Sequence, residues 1–161
     1  MQNRRDALAA IGIGSLGLLS LPIASPVLAR SSYTITMLNA DPDDPSQRMI
    51  FSPDLLKVPA GSQITFSVGA GAHNTQSTPG MIPSGTQGWR FGIRETGSVT
   101  LTKPGFYGYH CMPHRTMGMV GLIIVEGPGM MDNLTSAKEV SQPGKAAGAW
   151  QTLWRRAESL V

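Results

Sequence analysis

The run GFYGYHCMPHRTMGMVGLIIV, residues 105–125, holds two β-type segments joined by a loop rich in metal donors. In a strand over 105–111, Tyr107, Tyr109 and Cys111 share one face because successive side chains alternate. His110 then points the other way and reads as a surface histidine, free to titrate near neutral pH and to shift a nearby potential with it. Pro113 has no N–H to donate and ends the pairing. His114 and Met119 follow on a short loop in which Gly118 permits a tight bend. With His73 upstream, the chain offers a thiolate, two imidazoles and a thioether. The sulfur donors favour Cu(I) and imidazole serves both oxidation states, so a trigonal His-Cys-His set with a weak axial Met suits neither copper ion fully. That compromise lets one copper ion change valence with little ligand movement. Spacing alone leaves Met117 and Met119 as rivals for the axial place.

Outward from this run, the pattern is of short strands punctuated by turns. Residues 33–38, 55–58, 63–68, 98–101 and 121–125 are β-rich and bounded by Gly or Pro, which predicts a Greek-key sandwich. Length fits one domain, and 19 Gly and 12 Pro in 161 residues favour strands joined by turns. Residues 79–92 read as loop between sheets, and 41–45 as an exposed acidic turn. Beyond Glu126 the period changes: residues 132–139 predict a short helix and 143–159 a longer one. Ala146, Ala149, Trp150, Leu153, Trp154, Ala157 and Leu160 fall near helical spacing. This stripe is read as packing onto the sandwich, with a membrane-surface or partner helix as the alternative.

At these residues the chain resembles a known family, the pseudoazurins, a branch of the cupredoxins or small blue copper proteins. The resemblance runs through Met37-Leu38-Asn39, Met49-Ile50-Phe51-Ser52-Pro53, Val58-Pro59-Ala60-Gly61-Ser62, Ile64-Thr65-Phe66, His73-Asn74, Pro104-Gly105-Phe106-Tyr107, Cys111 and Met117-Gly118-Met119-Val120-Gly121. It covers nearly all of residues 32–160. It implies an all-β, cupredoxin-like Greek-key β-sandwich followed by two C-terminal α-helices. It also assigns one copper ion to His73, Cys111, His114 and Met119, with Met119 rather than Met117 as the axial ligand. Asn74 would tie the two ligand-bearing loops together with its backbone N–H aimed at the thiolate, and Met49 would lie near the His114 imidazole. Met112, Pro113 and Met117 are read as an apolar collar around the exposed edge of His114, the expected electron port. Plain core packing is the competing role for these methionines.

The N-terminus reads as an address. Arg4 and Arg5 precede an apolar stretch, and Val27-Leu28-Ala29 offers small residues for cleavage, so residues 1–29 are expected to be a secretory signal peptide. Adjacent arginines leave the twin-arginine and general secretory routes both open. Either points to the periplasm. The remaining chain divides into a sandwich with the copper site, 30–126, and a helical extension packed on it, 127–161. Removing Arg4, Arg5 and Asp6 with the signal lowers the formal charge from +3 to +2, too small a balance for nucleic-acid binding. A monomer without stable membrane association is expected after signal removal.

The ligand inventory also bounds function. Only three histidines, two of them claimed as ligands, exclude a three-histidine catalytic copper and a multicopper oxygen-reducing cluster, and a single cysteine excludes a binuclear purple centre. Four protein ligands leave no open position for a substrate, which argues for a carrier over an enzyme. Copper storage or delivery is the alternative class, and a zinc site is disfavoured by the thioether. By resemblance the redox partners are a copper nitrite reductase of denitrification and c-type cytochromes, with another periplasmic oxidoreductase fitting as well. Many pseudoazurins ring their copper end with lysines; the matching places here hold Ala40, Gly71, Arg90 and His110, and Arg115 adds a charge beside His114.

Overall fold

A computed structural model of the chain describes residues 31–161. The expected signal at residues 1–29 lies outside them. Nine strands and two helices follow in order: β1 Ser32–Ala40, β2 Arg48–Ser52, β3 Leu55–Pro59, β4 Ser62–Val68, β5 Thr75–Ser77, β6 Arg90–Phe91, β7 Gly97–Leu101, β8 Gly105–His110, β9 Val120–Glu126, α1 Leu134–Glu139 and α2 Ala146–Glu158. They form a four-stranded sheet, β2-β1-β4-β7, facing a five-stranded sheet, β3-β9-β8-β5-β6. Most neighbours are antiparallel, with parallel pairing only for β1 with β4 and β3 with β9 among the described residues. This is the all-β sandwich with a two-helix tail that the sequence predicts.

Three strands lie outside the sequence-based expectations. β5 and β6 are 3 and 2 residues long, too short for alternation to register. β2 contains Met49, whose backbone takes φ 54 and breaks the extended pattern. The helices are shorter than expected, starting at Leu134 and Ala146, because Asn133 and the Pro143-Gly144 turn hold the chain just ahead of them.

Alternation along β8 divides two cores. Tyr107 and Tyr109 face the other sheet and pack with Ile35, Met37, Phe51 and Phe66. Phe66 stacks on Trp89 at 5.3 Å and meets the Tyr109 ring edge at 5.1 Å. Phe106 points oppositely and joins Leu122 and Ile124 of β9 under the tail, where Trp150, Leu153, Trp154 and Ala157 cover them. Every residue of β8 is therefore buried, as expected for a central strand covered on both faces. Gly108 is needed here: a Cβ would lie 2.9 Å from both Met81 and the Trp150 ring.

Polar contacts fix the tail to the sheet. The buried Asn133 side chain accepts from the Phe106 amide at 2.9 Å and donates to its carbonyl at 2.8 Å, behaving like a strand partner for β8. At the far end of α2, Arg156 donates both fork nitrogens to Asp54 at 2.9 Å, the planar match this side chain makes with a carboxylate. The stripe from Ala146 to Ala157 packs on the sandwich, whereas Leu160 lies beyond α2 and is exposed. No described helix is long and apolar enough to cross a membrane.

Candidate metal centre

β8 ends at His110 and delivers Cys111 into the inter-sheet core at its margin, fully buried. The chain then turns: the His114 amide donates to the Cys111 carbonyl at 3.2 Å, and the Cys111 amide donates to the Met119 carbonyl at 3.1 Å. A single 3₁₀ turn, Arg115–Met117, sits between, closed by Gly118 at φ 100, a left-handed conformation that favours glycine. The Met119 amide donates to the His114 carbonyl at 3.2 Å, so Cys111, His114 and Met119 are held by one small hydrogen-bonded loop. The fourth residue, His73, enters from the connection between β4 and β5 and is fully buried.

Three donor atoms converge. The Cys111 sulfur lies 3.3 Å from His114 Nδ1 and 3.9 Å from His73 Nδ1, and the two Nδ1 atoms are 3.1 Å apart. The far nitrogen of His73, Nε2, donates to Asn39 Oδ1 at 3.0 Å, which fixes the tautomer and leaves the Nδ1 lone pair turned inward. Asn74 bridges the two loops: its Oδ1 accepts from the Met112 amide at 2.7 Å. Burial pushes the Cys111 thiol above its ordinary range, opposed by backbone hydrogen bonds from Asn74 and His114. Burial, aided by the neighbouring His114, holds His73 below its usual value. A soft thiolate with two neutral imidazoles fits copper, and loading such a site releases the thiol proton.

Around this group the methionines separate. Met119 is 1% exposed and belongs to the same core cluster as Cys111, whereas Met117 is 51% and Met112 53% exposed. Met117 is thus on the surface with Met112 and Pro113, beside a partly exposed His114. Met49 packs, half-buried, on the inter-sheet core.

His110 requires a correction. It does point away from Cys111, but it is only 2% exposed, because the outer face of β8 is itself covered. Its Nδ1 lies 2.8 Å from the Thr78 hydroxyl and its Nε2 3.0 Å from the Gln76 carboxamide. Burial first, then the charge of Arg115, lower its pKa to about 4, so it is neutral at physiological pH and is no titrating surface group. Arg115 also departs from expectation: it is half-buried and donates to Gln142 Oε1 at 3.0 Å. Of the places matched to the lysine ring, only Arg90 carries an exposed charge. Gly71 has a local reason to lack a side chain: at φ 97, a Cβ would lie 2.7 Å from His73 Nε2 and collide with Asn39 Oδ1.

The role of Asn39 in orienting His73 is not among the sequence-based expectations, although Asn39 belongs to the Met37-Leu38-Asn39 segment. Its signal is a polar residue placed near the end of β1, where the edge of the core meets the His73 loop.

A family model described as copper binding proteins, plastocyanin/azurin family, matches residues 39–126. The pseudoazurin of Paracoccus pantotrophus is 35% identical over 127 residues, 78% of this chain and 83% of the relative. The chain belongs to the pseudoazurins of the plastocyanin/azurin family. A second pseudoazurin, from Methylorubrum extorquens, is 33% identical over 123 residues, 76% of this chain and 80% of its own. The solved pseudoazurin structure from Methylobacterium extorquens superposes with TM-score 0.71 at 30% identity, covering 79% of this chain and 99% of that one. A solved pseudoazurin from Sinorhizobium gives TM-score 0.74 at 36% identity, covering 80% and 98%. As a pseudoazurin-family protein the chain is a type 1 copper electron carrier and not an enzyme.

Proposed function

We propose that Cys111, His73, His114 and Met119 hold the copper ion, that His114 passes its electrons to redox partners, and that the protein works in the periplasm. The convergence of the Cys111 sulfur with both Nδ1 atoms, all within 4.8 Å of one another, carries this reading. Copper bound there would alternate between Cu(I) and Cu(II), storing one electron. The protein's part is to keep the donors still. His73 is tied to Asn39, Cys111 to the Met119 backbone, and the two loops to each other through Asn74. A donor set that stays in place in both valences lowers the cost of each transfer.

Met119 is the proposed axial ligand because it is the buried thioether whose backbone closes the loop onto Cys111. Pro113, Met112 and Met117 are the proposed apolar surround of the His114 edge, where a partner excludes water and approaches the site. Met49 is proposed to pack beside the same imidazole. The proposed partners are a copper nitrite reductase as acceptor and c-type cytochromes as donors, with the chain acting as a monomer. Residues 1–29 are proposed as the removable export signal, 30–126 as the copper-carrying sandwich and 127–161 as its packed extension.

The two methionines test the assignment. Met119→Gln replaces a soft donor by a harder oxygen that favours Cu(II), so the reduction potential falls by more than about 60 mV, a tenfold change for a one-electron couple. Met117→Gln, on the surface, leaves the potential within about a third of that. Voltammetry of both variants measures it; the reverse ranking would transfer the axial role to Met117.

A further inference from the structure

Arg115 directly follows His114, yet its guanidinium turns inward and not toward an approaching partner. It forms no ion pair among the described residues. Its Nε is buried without a hydrogen-bond partner, and Nη2 donates to Gln142 Oε1 at 3.0 Å. A partly desolvated charge met by one neutral acceptor costs free energy where it sits. Gln142 belongs to the connector between α1 and α2, and its Nε2 is anchored in turn to Met81 Sδ at 3.1 Å and to the Val140 carbonyl at 3.3 Å.

The same connector meets the ligand loop a second time. The Lys145 amide donates to the Thr116 carbonyl at 2.9 Å. Gly144, at φ 55, brings its backbone so close that a Cβ would stand 2.7 Å from that carbonyl oxygen. Beyond it, a Cβ on Gly118 would make ordinary contact with Ala149 and Lys145, both at 3.7 Å. The 3₁₀ turn between His114 and Met119 is therefore held from outside at Arg115 and Thr116, both by the tail. Only short loop bonds hold it from within.

We propose that the connector 140–145 is a latch that fixes the ligand loop 114–119, with Gln142 as a positioning residue acting through Arg115. This rests on the ligand assignment proposed above. A small loop held by few bonds opens locally at low cost, and motion there moves His114 relative to Cys111. The latch restricts that motion from the tail, through Arg115 and Thr116 and without a hydrogen bond to His73 or Cys111.

The test uses two variants at one position. Gln142→Ala removes the acceptor, while Gln142→Glu keeps an oxygen acceptor opposite the guanidinium and removes the amide donor. In the purified metal-free protein, followed by amide hydrogen exchange, Gln142→Ala speeds exchange at Met117, Gly118 and Met119 about tenfold and leaves the β8–β9 amides unchanged. Gln142→Glu stays within about twofold of the parent protein at the same amides. In the copper-loaded protein the visible thiolate-to-copper band shifts or broadens in Gln142→Ala and not in Gln142→Glu. Unchanged loop exchange, acceleration spread equally over the sheet, an unmoved band in Gln142→Ala, or Gln142→Glu behaving like Gln142→Ala would each overturn the proposal. The exchange measurement needs no metal, so it stays readable even if the parent protein forms no coloured copper site.

Discussion

Cys111→Ser abolishes the intense thiolate-to-copper absorption of the loaded protein while leaving the sandwich folded. The band depends on charge transfer from a thiolate, and a serine hydroxyl neither ionises at neutral pH nor matches the soft donor that stabilises Cu(I). The change is close to isosteric. The backbone N–H groups of Asn74 and His114 that face the sulfur remain to meet the new oxygen, so the buried polar atom is not left unpaired. The expected result is complete loss of the band and at least about a tenfold loss of copper affinity, since a direct ligand matters no less than the outer partners whose loss costs that much. Far-ultraviolet circular dichroism of the metal-free variant stays at the parent level. An intense visible band surviving in Cys111→Ser would show that it is not thiolate-to-copper charge transfer, because the chain has no other cysteine.

Trp150→Ala is expected to cost about 3–5 kcal/mol of stability, the usual range for deleting a large buried aromatic. Trp150 is 3% exposed, stacks on Trp154 with ring centroids 5.5 Å apart and lies against the bare backbone of Gly108. Its indole N–H is buried without a partner, so the substitution also removes an unsatisfied donor, which moves the expected cost toward the lower end. Urea unfolding followed by circular dichroism measures the effect. A single, earlier transition means that the tail and sandwich form one cooperative unit through β8 and β9. A loss below about 1 kcal/mol, or separate melting of the helices, would show that the extension is merely attached.

The two expectations rest on features of unequal visibility in the sequence. Alternation through Tyr107, Tyr109 and Cys111 is a local property of one strand, and it placed the thiol on the core face without any tertiary information. Helical spacing from Ala146 to Ala157 similarly exposed the face that meets β9. What alternation does not encode is what lies on the other side. His110 does turn away from Cys111, yet it is buried, held there by Thr78 and Gln76. Both partners come from a segment distant in the chain. The same holds for Asn39, whose hydrogen bond to His73 depends on a parallel neighbour strand and on the empty space at Gly71. Arg115 reads in the sequence as an added charge beside His114; its partner Gln142 lies in the tail. Long-range contacts of this kind, and the brief strands β5 and β6, have no periodic signature. Family likeness supplied the choice of Met119 over Met117, and burial of Met119 supports it with an independent physical argument.

The most direct test of the central claim is a stoichiometric Cu(II) titration of the purified protein, with the visible spectrum recorded before and after ascorbate and again after reoxidation. The expected result is one intense thiolate-to-copper band that saturates at one copper per chain, bleaches on reduction and returns on reoxidation. Copper that binds without such a band, or a band that does not return, would contradict a reversible one-electron carrier and favour storage or delivery of the metal.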